Sequence, residues 1–223
     1  MPDRPAVVVF DVNETLSDMT PMAQRFTDVG APGDLATLWF ATVLRDGFAL
    51  TAAATNPQFS DVAAGALHTV LAGHQLHGTL DAAIDHIMDG FSNLWLHPDV
   101  TDGVRALRES GPRLITLSNG STAVADRLLS TAGIRDQFEA LLSVDDAEAW
   151  KPARAAYDYA AKVCGTSPAD MLLVTVHPWD IDGAARAGLG TAWINRDNIP
   201  YPGYFTPPAI TVATLPALAE YLA

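Results

Sequence analysis

Asp11, Asn13 and Thr15 follow the apolar run AVVVF at 6–10, and Ser118, Asn119 and Ser121 follow RLITL at 113–117. Lys151 lies beyond ALLSV at 140–144, and His177 and Asp180 follow the run MLLVTV at 171–176. Gathered at one edge, these side chains supply a carboxylate nucleophile or base, hydroxyls, an ammonium and a second carboxylate. An attacking carboxylate must be ionised, and a lysine beside it lowers its pKa. The set therefore fits covalent catalysis by Asp11 with Lys151 as counter-charge. Each residue alone has a plainer reading. An Asp after a strand is commonly a turn or cap residue, Asp180 also suits the start of a helix, and Lys151 before Pro152 suits a solvated position ahead of one.

The elements that must position these residues are legible in the pattern. The four runs above, with GTAWI at 190–194 and AITV at 209–212, read as buried strands. Segments of helical period separate most of them: Val104 and Leu107, then Val124, Leu128 and Leu129, then Ala156 to Val163, then Ile181 to Ala187. Strand and helix in alternation predict an α/β fold, a Rossmann-like doubly wound parallel sheet. In such a sheet ligands bind outside the carboxyl ends of the strands, where the polar residues above fall. The stretch 17–97 breaks the rhythm. Leu35, Trp39 and Val43 share one helical face, as do Ile84, Ile87, Met88 and Phe91, with Ser60 and Thr79 as N-caps. The expected organisation is a core of 1–16 and 98–223 with a helical cap at 17–97. The Pro- and Gly-rich stretch 196–208 reads as an ordered loop.

Composition bounds the partners. The 223 residues hold 13 Lys and Arg against 26 Asp and Glu, a net charge of −13, so no basic surface is expected for nucleic acid or anionic lipid. Apolar residues make up 49%, enough for a sizeable core. One cysteine, Cys164, excludes an internal disulfide and a multi-cysteine metal site. No basic leader precedes AVVVF and no run of 18 uncharged apolar residues occurs, which predicts a cytoplasmic protein without a membrane span. His68, His74, His77 and His86 lack the spacing of a metal site.

FDVNETL at 10–16, TLSNGS at 116–121, WKP at 150–152 and VTVHPWDIDGA at 174–184, in this order and with a helical insertion after the first, resemble the haloacid dehalogenase superfamily. Within it the chain is most similar to the L-2-haloacid dehalogenases, through LSNGS, KPxxxxY from Lys151 to Tyr157, and Trp179-Asp180. The competing reading is a magnesium-dependent phosphatase of the same superfamily. That chemistry needs a second Asp at position 13 to protonate a leaving alcohol and a metal-binding carboxylate four residues before Asp180; the chain has Asn13 and Val176. A catalytically idle, interacting member is the other alternative.

The resemblance implies a hydrolase without metal or cofactor, acting on a short 2-haloacid, and a homodimer. Asp11 would attack C2, expel halide and form an aspartyl ester that water reopens. Lys151 would keep Asp11 ionised, Asp180 would orient or deprotonate the water, and Thr15 and Ser118 would hydrogen-bond the carboxylate. The backbone amides of Ser118 and Asn119 would receive the substrate carboxylate at a helix N-terminus. Substrate contacts are also expected from Val12, with Trp39, Phe59 and Trp179 as an apolar wall and Tyr157 holding Lys151. One departure stands out: relatives carry an arginine after a Trp on the first long cap helix, where this chain reads Leu38, Trp39, Phe40, Ala41. Arg45, Asn119 and His177 remain as candidates to receive the halide.

Overall fold

A computed structural model describes residues 4–223. Six strands form one parallel sheet: β1 (Val7–Phe10), β2 (Arg113–Ser118), β3 (Ala140–Ser143), β4 (Met171–Thr175), β5 (Gly190–Ile194) and β6 (Ile210–Val212), in the order β3-β2-β1-β4-β5-β6. The sequence is near-continuously apolar in these strands because both faces are covered, as parallel sheets require. The two-residue period decides which face each side chain meets. Val8, Phe10, Leu114, Leu172 and Val174 pack under α5 (Val100–Glu109), α6 (Thr122–Thr131) and α9 (Leu215–Leu222). Val7, Val9, Ile115, Leu117, Met171 and Leu173 pack under α7 (Arg154–Cys164) and α8 (Pro178–Ala187). Each such side chain fully removed from water contributes about 1.5–3 kcal/mol.

The strand order reverses at β1. Phe10 is paired in register with Thr116 on one side and Val174 on the other. The carboxyl ends of β1, β2 and β4 therefore open together, and the crevice that this topology creates lies directly above β1.

Between β1 and α5 run α1 (Met22–Asp28), α2 (Leu35–Ala52), α3 (Phe59–Val70) and α4 (Leu80–Ser92). They form a helical cap inserted in the α/β core, with a cluster of their own built on Phe26, Trp39, Val43, Leu67 and Ile87, all fully buried. Trp150 joins that cluster from the loop ahead of Lys151. Its ring stacks on Phe59 at 5.6 Å and lies against Gly47, where an added Cβ would sit 2.2 Å from the indole. Thr79 caps α4 by accepting from the Ala82 amide at 3.2 Å. Ser60, expected as a cap, instead lies inside α3: Gln58 is the N-cap, because stacking Phe59 on Trp150 and Phe91 starts the helix two residues early. The stretch 196–208 forms neither helix nor strand. No described helix is long and apolar enough to cross a membrane.

Candidate active site

Asp11 leaves β1 with its amide donating to the Val174 carbonyl at 3.1 Å. Glu14 then takes a left-handed φ of 62°, which turns the chain back so that Thr15 faces Asp11. Thr15 Oγ1 donates to Asp11 Oδ2 at 2.6 Å and accepts from the Val176 amide at 3.1 Å. Thr175 Oγ1 lies 3.4 Å from the same carboxylate oxygen.

Lys151, with 0% of its surface exposed, reaches in from the loop after β3. Its Nζ donates to Asp11 Oδ1 and to Asp180 Oδ2, both at 2.7 Å. Asp180 sits in the first turn of α8, where a negative charge is favoured, and Tyr157 on α7 donates to its Oδ1 at 2.6 Å. Gly183 permits this meeting of α7 and α8, since a Cβ there would lie 2.6 Å from the Tyr157 hydroxyl. Burial alone would raise all carboxyl pKa values here. At Asp11 it is outweighed by Lys151, His177 and the Thr15 hydroxyl, so Asp11 is held below the ordinary carboxylate range. At Asp180 burial prevails, with Asp11 adding repulsion, and the pKa is raised. Burial would lower Lys151, but the two carboxylates raise it and keep it an ammonium. Tyr157 is pushed well above its usual value by burial and by Asp180, and so remains a donor. One shared cation between two carboxylates thus separates a nucleophile-like Asp11 from a more basic Asp180.

A cavity of about 120 Å³ opens at the two residues that follow Asp11, bounded by Val12, Asn13, Phe59, Met88, Phe91 and Ser118. It is closed below by the loop after β1 and the start of α6, and above by α3 and α4. Among the sequence-predicted residues, Val12, Phe59 and Ser118 line it, and Asp11, Thr15, Lys151, Tyr157 and Asp180 form one connected network that is not part of its wall.

Several expectations need correcting. Ser118 does not reach the Asp11 carboxylate; its Oγ accepts from the Gly120 amide at 2.9 Å and shapes the turn into α6. Tyr157 holds Asp180 rather than Lys151. The Asn119 carboxamide is spent on the Lys151 backbone, accepting from its amide at 2.9 Å and donating to its carbonyl at 3.3 Å. Trp39 is fully buried in the cap, its indole donating to the Ala63 carbonyl at 2.9 Å, so it packs α2 and does not line the cavity. Trp179 lies outside the cavity wall too, stacked on His177 at 4.8 Å and against Phe48, with Lys151 Nζ 5.9 Å from its ring. Arg45 is 68% exposed and pairs with Asp46, because it stands about 200° round α2 from the inward Val43. His177 does approach: its Nε2 donates to the Asn13 carbonyl at 3.1 Å and lies 3.5 Å from Asp11 Oδ2.

Thr175, Met88 and Phe91 are not among the site residues expected from sequence, where Met88 and Phe91 read only as one apolar helical face. Thr175 is hidden as the last residue of an apolar strand, and Met88 and Phe91 carry the same period as core residues whether or not a cavity adjoins them.

A family model described as haloacid dehalogenase-like hydrolase matches residues 5–188. The chain belongs to this family. It is 30% identical over 219 residues to haloacetate dehalogenase H-2 of Moraxella sp. (strain B), covering 97% of each chain. It is also 30% identical over 217 residues to an (S)-2-haloacid dehalogenase of Pseudomonas sp. (strain YL), covering 96% of this chain and 92% of the relative. The crystal structure of a dehalogenase with an intermediate complex superposes with a TM-score of 0.92 at 27% identity, over 100% of this chain and 99% of that one. The L-2-haloacid dehalogenase RSc1362 gives 0.90 at 29%, over 98% and 99%. This haloacid dehalogenase-like chain therefore shares with those structures both the sheet core and the helical cap.

Proposed function

We propose that the protein hydrolyses the carbon–halogen bond of short 2-haloalkanoic acids through an ester on Asp11, releasing halide and a 2-hydroxy acid. The observation that carries this reading is the ionised Asp11, paired to Lys151 at 2.7 Å and followed in the chain by Val12 and Asn13 in the wall of a small cavity. A carboxylate oxygen attacks C2, the bond to halogen breaks, and the electron pair leaves with the halide. Water then adds to the ester carbonyl of Asp11, with Lys151 stabilising the oxyanion. Asp180 takes the proton: Lys151 passes one to it while gaining one from water, which the raised pKa of Asp180 favours. Residues 17–97 act as the cap over the core of 1–16 and 98–223, with α3 and α4 roofing the cavity.

The phosphatase reading is disfavoured by chemistry. Asn13 has no proton to give a leaving alcohol, Val176 cannot bind a cation, and the Lys151 ammonium already bridges Asp11 and Asp180. The test is halide release from L- and D-2-chloropropionate, chloroacetate and fluoroacetate without added metal. Release that depends on Asp11 supports the reading. No release, or phosphate release with magnesium from phosphate esters, overturns it.

A further inference from the structure

The cavity has an uncommon charge balance. Lys151 is shared by Asp11 and Asp180, so this trio carries one surplus negative charge. The cavity wall adds Asp145 and contains no Lys, Arg or His among the described residues, and Arg45 points away into solvent. A haloacid therefore brings a further anion to a cavity whose wall offers it no Lys, Arg or His side chain. Only the amide end of α6 favours it.

Among the polar side chains of the wall without a hydrogen bond, Asn13 is the buried one, whereas Gln58, Ser60, Ser121 and Asp145 are exposed. Asn13 is 7% exposed, yet its carboxamide has no hydrogen-bond partner among the described residues; only its backbone carbonyl is used, by His177. Its Nδ2 lies 3.5 Å from the point that a Cβ on Gly120 would occupy, and Ser118 Oγ lies 3.3 Å from that point. The amide is thus presented at the turn into α6, two residues from the nucleophile. The carboxamide lines the cavity with its donor and acceptor free, so a ligand that enters there can pair with both.

We propose that Asn13 binds the carbonyl end of the substrate with both a donor and an acceptor, so that this site dehalogenates neutral 2-haloamides as well as 2-haloacids. Nδ2 donates to the substrate carbonyl, and Oδ1 accepts from the substrate NH2 group. An acid uses only the donor. The inference rests on displacement by Asp11: its carboxylate forms the C2–O bond as the C2–halogen bond breaks, halide departs with the electron pair, and water cleaves the ester to a 2-hydroxyamide with release of one proton. The substrate amide itself is left intact.

The test measures kcat/KM for chloride release from chloroacetate and 2-chloroacetamide. Asp11→Asn provides the background, because 2-chloroacetamide also alkylates thiols and the chain holds Cys164. Wild type should turn over both substrates, and Asn13→Leu should lower both by about tenfold, the factor for losing a hydrogen bond at a buried site. Asn13→Asp keeps the acceptor and adds a negative charge, so the ratio of amide to acid kcat/KM should rise at least about tenfold. Turnover of chloroacetate with 2-chloroacetamide at background overturns the inference and leaves the haloacid reading standing. Turnover of neither refutes both. An unchanged ratio in Asn13→Asp shows that Asn13 does not touch the substrate, and that variant decides the matter if Asn13→Leu fails to fold.

Discussion

Replacing Lys151 with Met keeps the volume of the side chain and removes the positive charge that bridges Asp11 and Asp180. Because both carboxylate oxygens lie 2.7 Å from Nζ, they are at most about 5.4 Å apart, and at an effective dielectric constant of about 20 two unit charges there repel by about 3 kcal/mol. Breaking a buried ion pair from one side costs about 3–5 kcal/mol. Both figures apply near neutral pH, where both carboxylates would be ionised. In the variant one of the two must therefore take up a proton well above the ordinary carboxylate value of 3.8. A folded-state pKa above the unfolded one gives stability that is present below the unfolded pKa and lost as pH rises through the folded pKa. The variant should accordingly regain up to about 1.4 kcal/mol relative to wild type for each pH unit of acidification while it holds the extra proton. In the wild type Asp11 is lowered and Asp180 raised, so their contributions oppose and the profile is flatter. Urea unfolding of both proteins between about pH 8 and pH 5 measures the gap. A gap that stays constant over this range would refute the shared-cation argument, and halide release should be absent throughout.

Asp11→Asn should abolish turnover and preserve the melting temperature, since the amide keeps the shape but is too weak a nucleophile; single turnover in heavy-oxygen water should label Asp11 before product, read by mass spectrometry. Halide release should survive EDTA and gain nothing from magnesium, because Asn13 and Val176 stand where the phosphatase acid and a metal-binding carboxylate are needed and the Lys151 ammonium supplies the counter-charge to Asp11 and Asp180; a strict cation requirement would overturn the mechanism. Gly47→Ala should destabilise the protein by about 1–3 kcal/mol, as its Cβ would meet the Trp150 ring. The loss should appear in thermal unfolding, and KM should rise as the loop carrying Lys151 shifts.

The strands were legible because a buried parallel strand is a short apolar run, and the six runs in the sequence correspond to β1 through β6. The polar ends of those runs were equally visible, since the sheet topology brings successive strand ends to one crevice. What sequence could not fix was direction and partner. Ser118 and Asn119 sit where expected, but the hydroxyl and carboxamide are consumed by Gly120 and Lys151, and hydrogen-bond choice among neighbours a few ångströms apart leaves no periodic trace. Arg45 shows the same limit on a helix: Trp39, Val43 and Gly47 at four-residue spacing turn inward, which forces Arg45 to solvent beside Asp46. With the cap cation excluded by helix geometry, the charge of the leaving halide must be met from the core side. There His177, with Nε2 3.5 Å from Asp11 Oδ2, is the candidate donor. His177 and Asn13 both follow strand ends of the sheet, so on the proposed reading substrate selection and chemistry rest on the same scaffold, and the cap supplies apolar closure through Phe59, Met88 and Phe91.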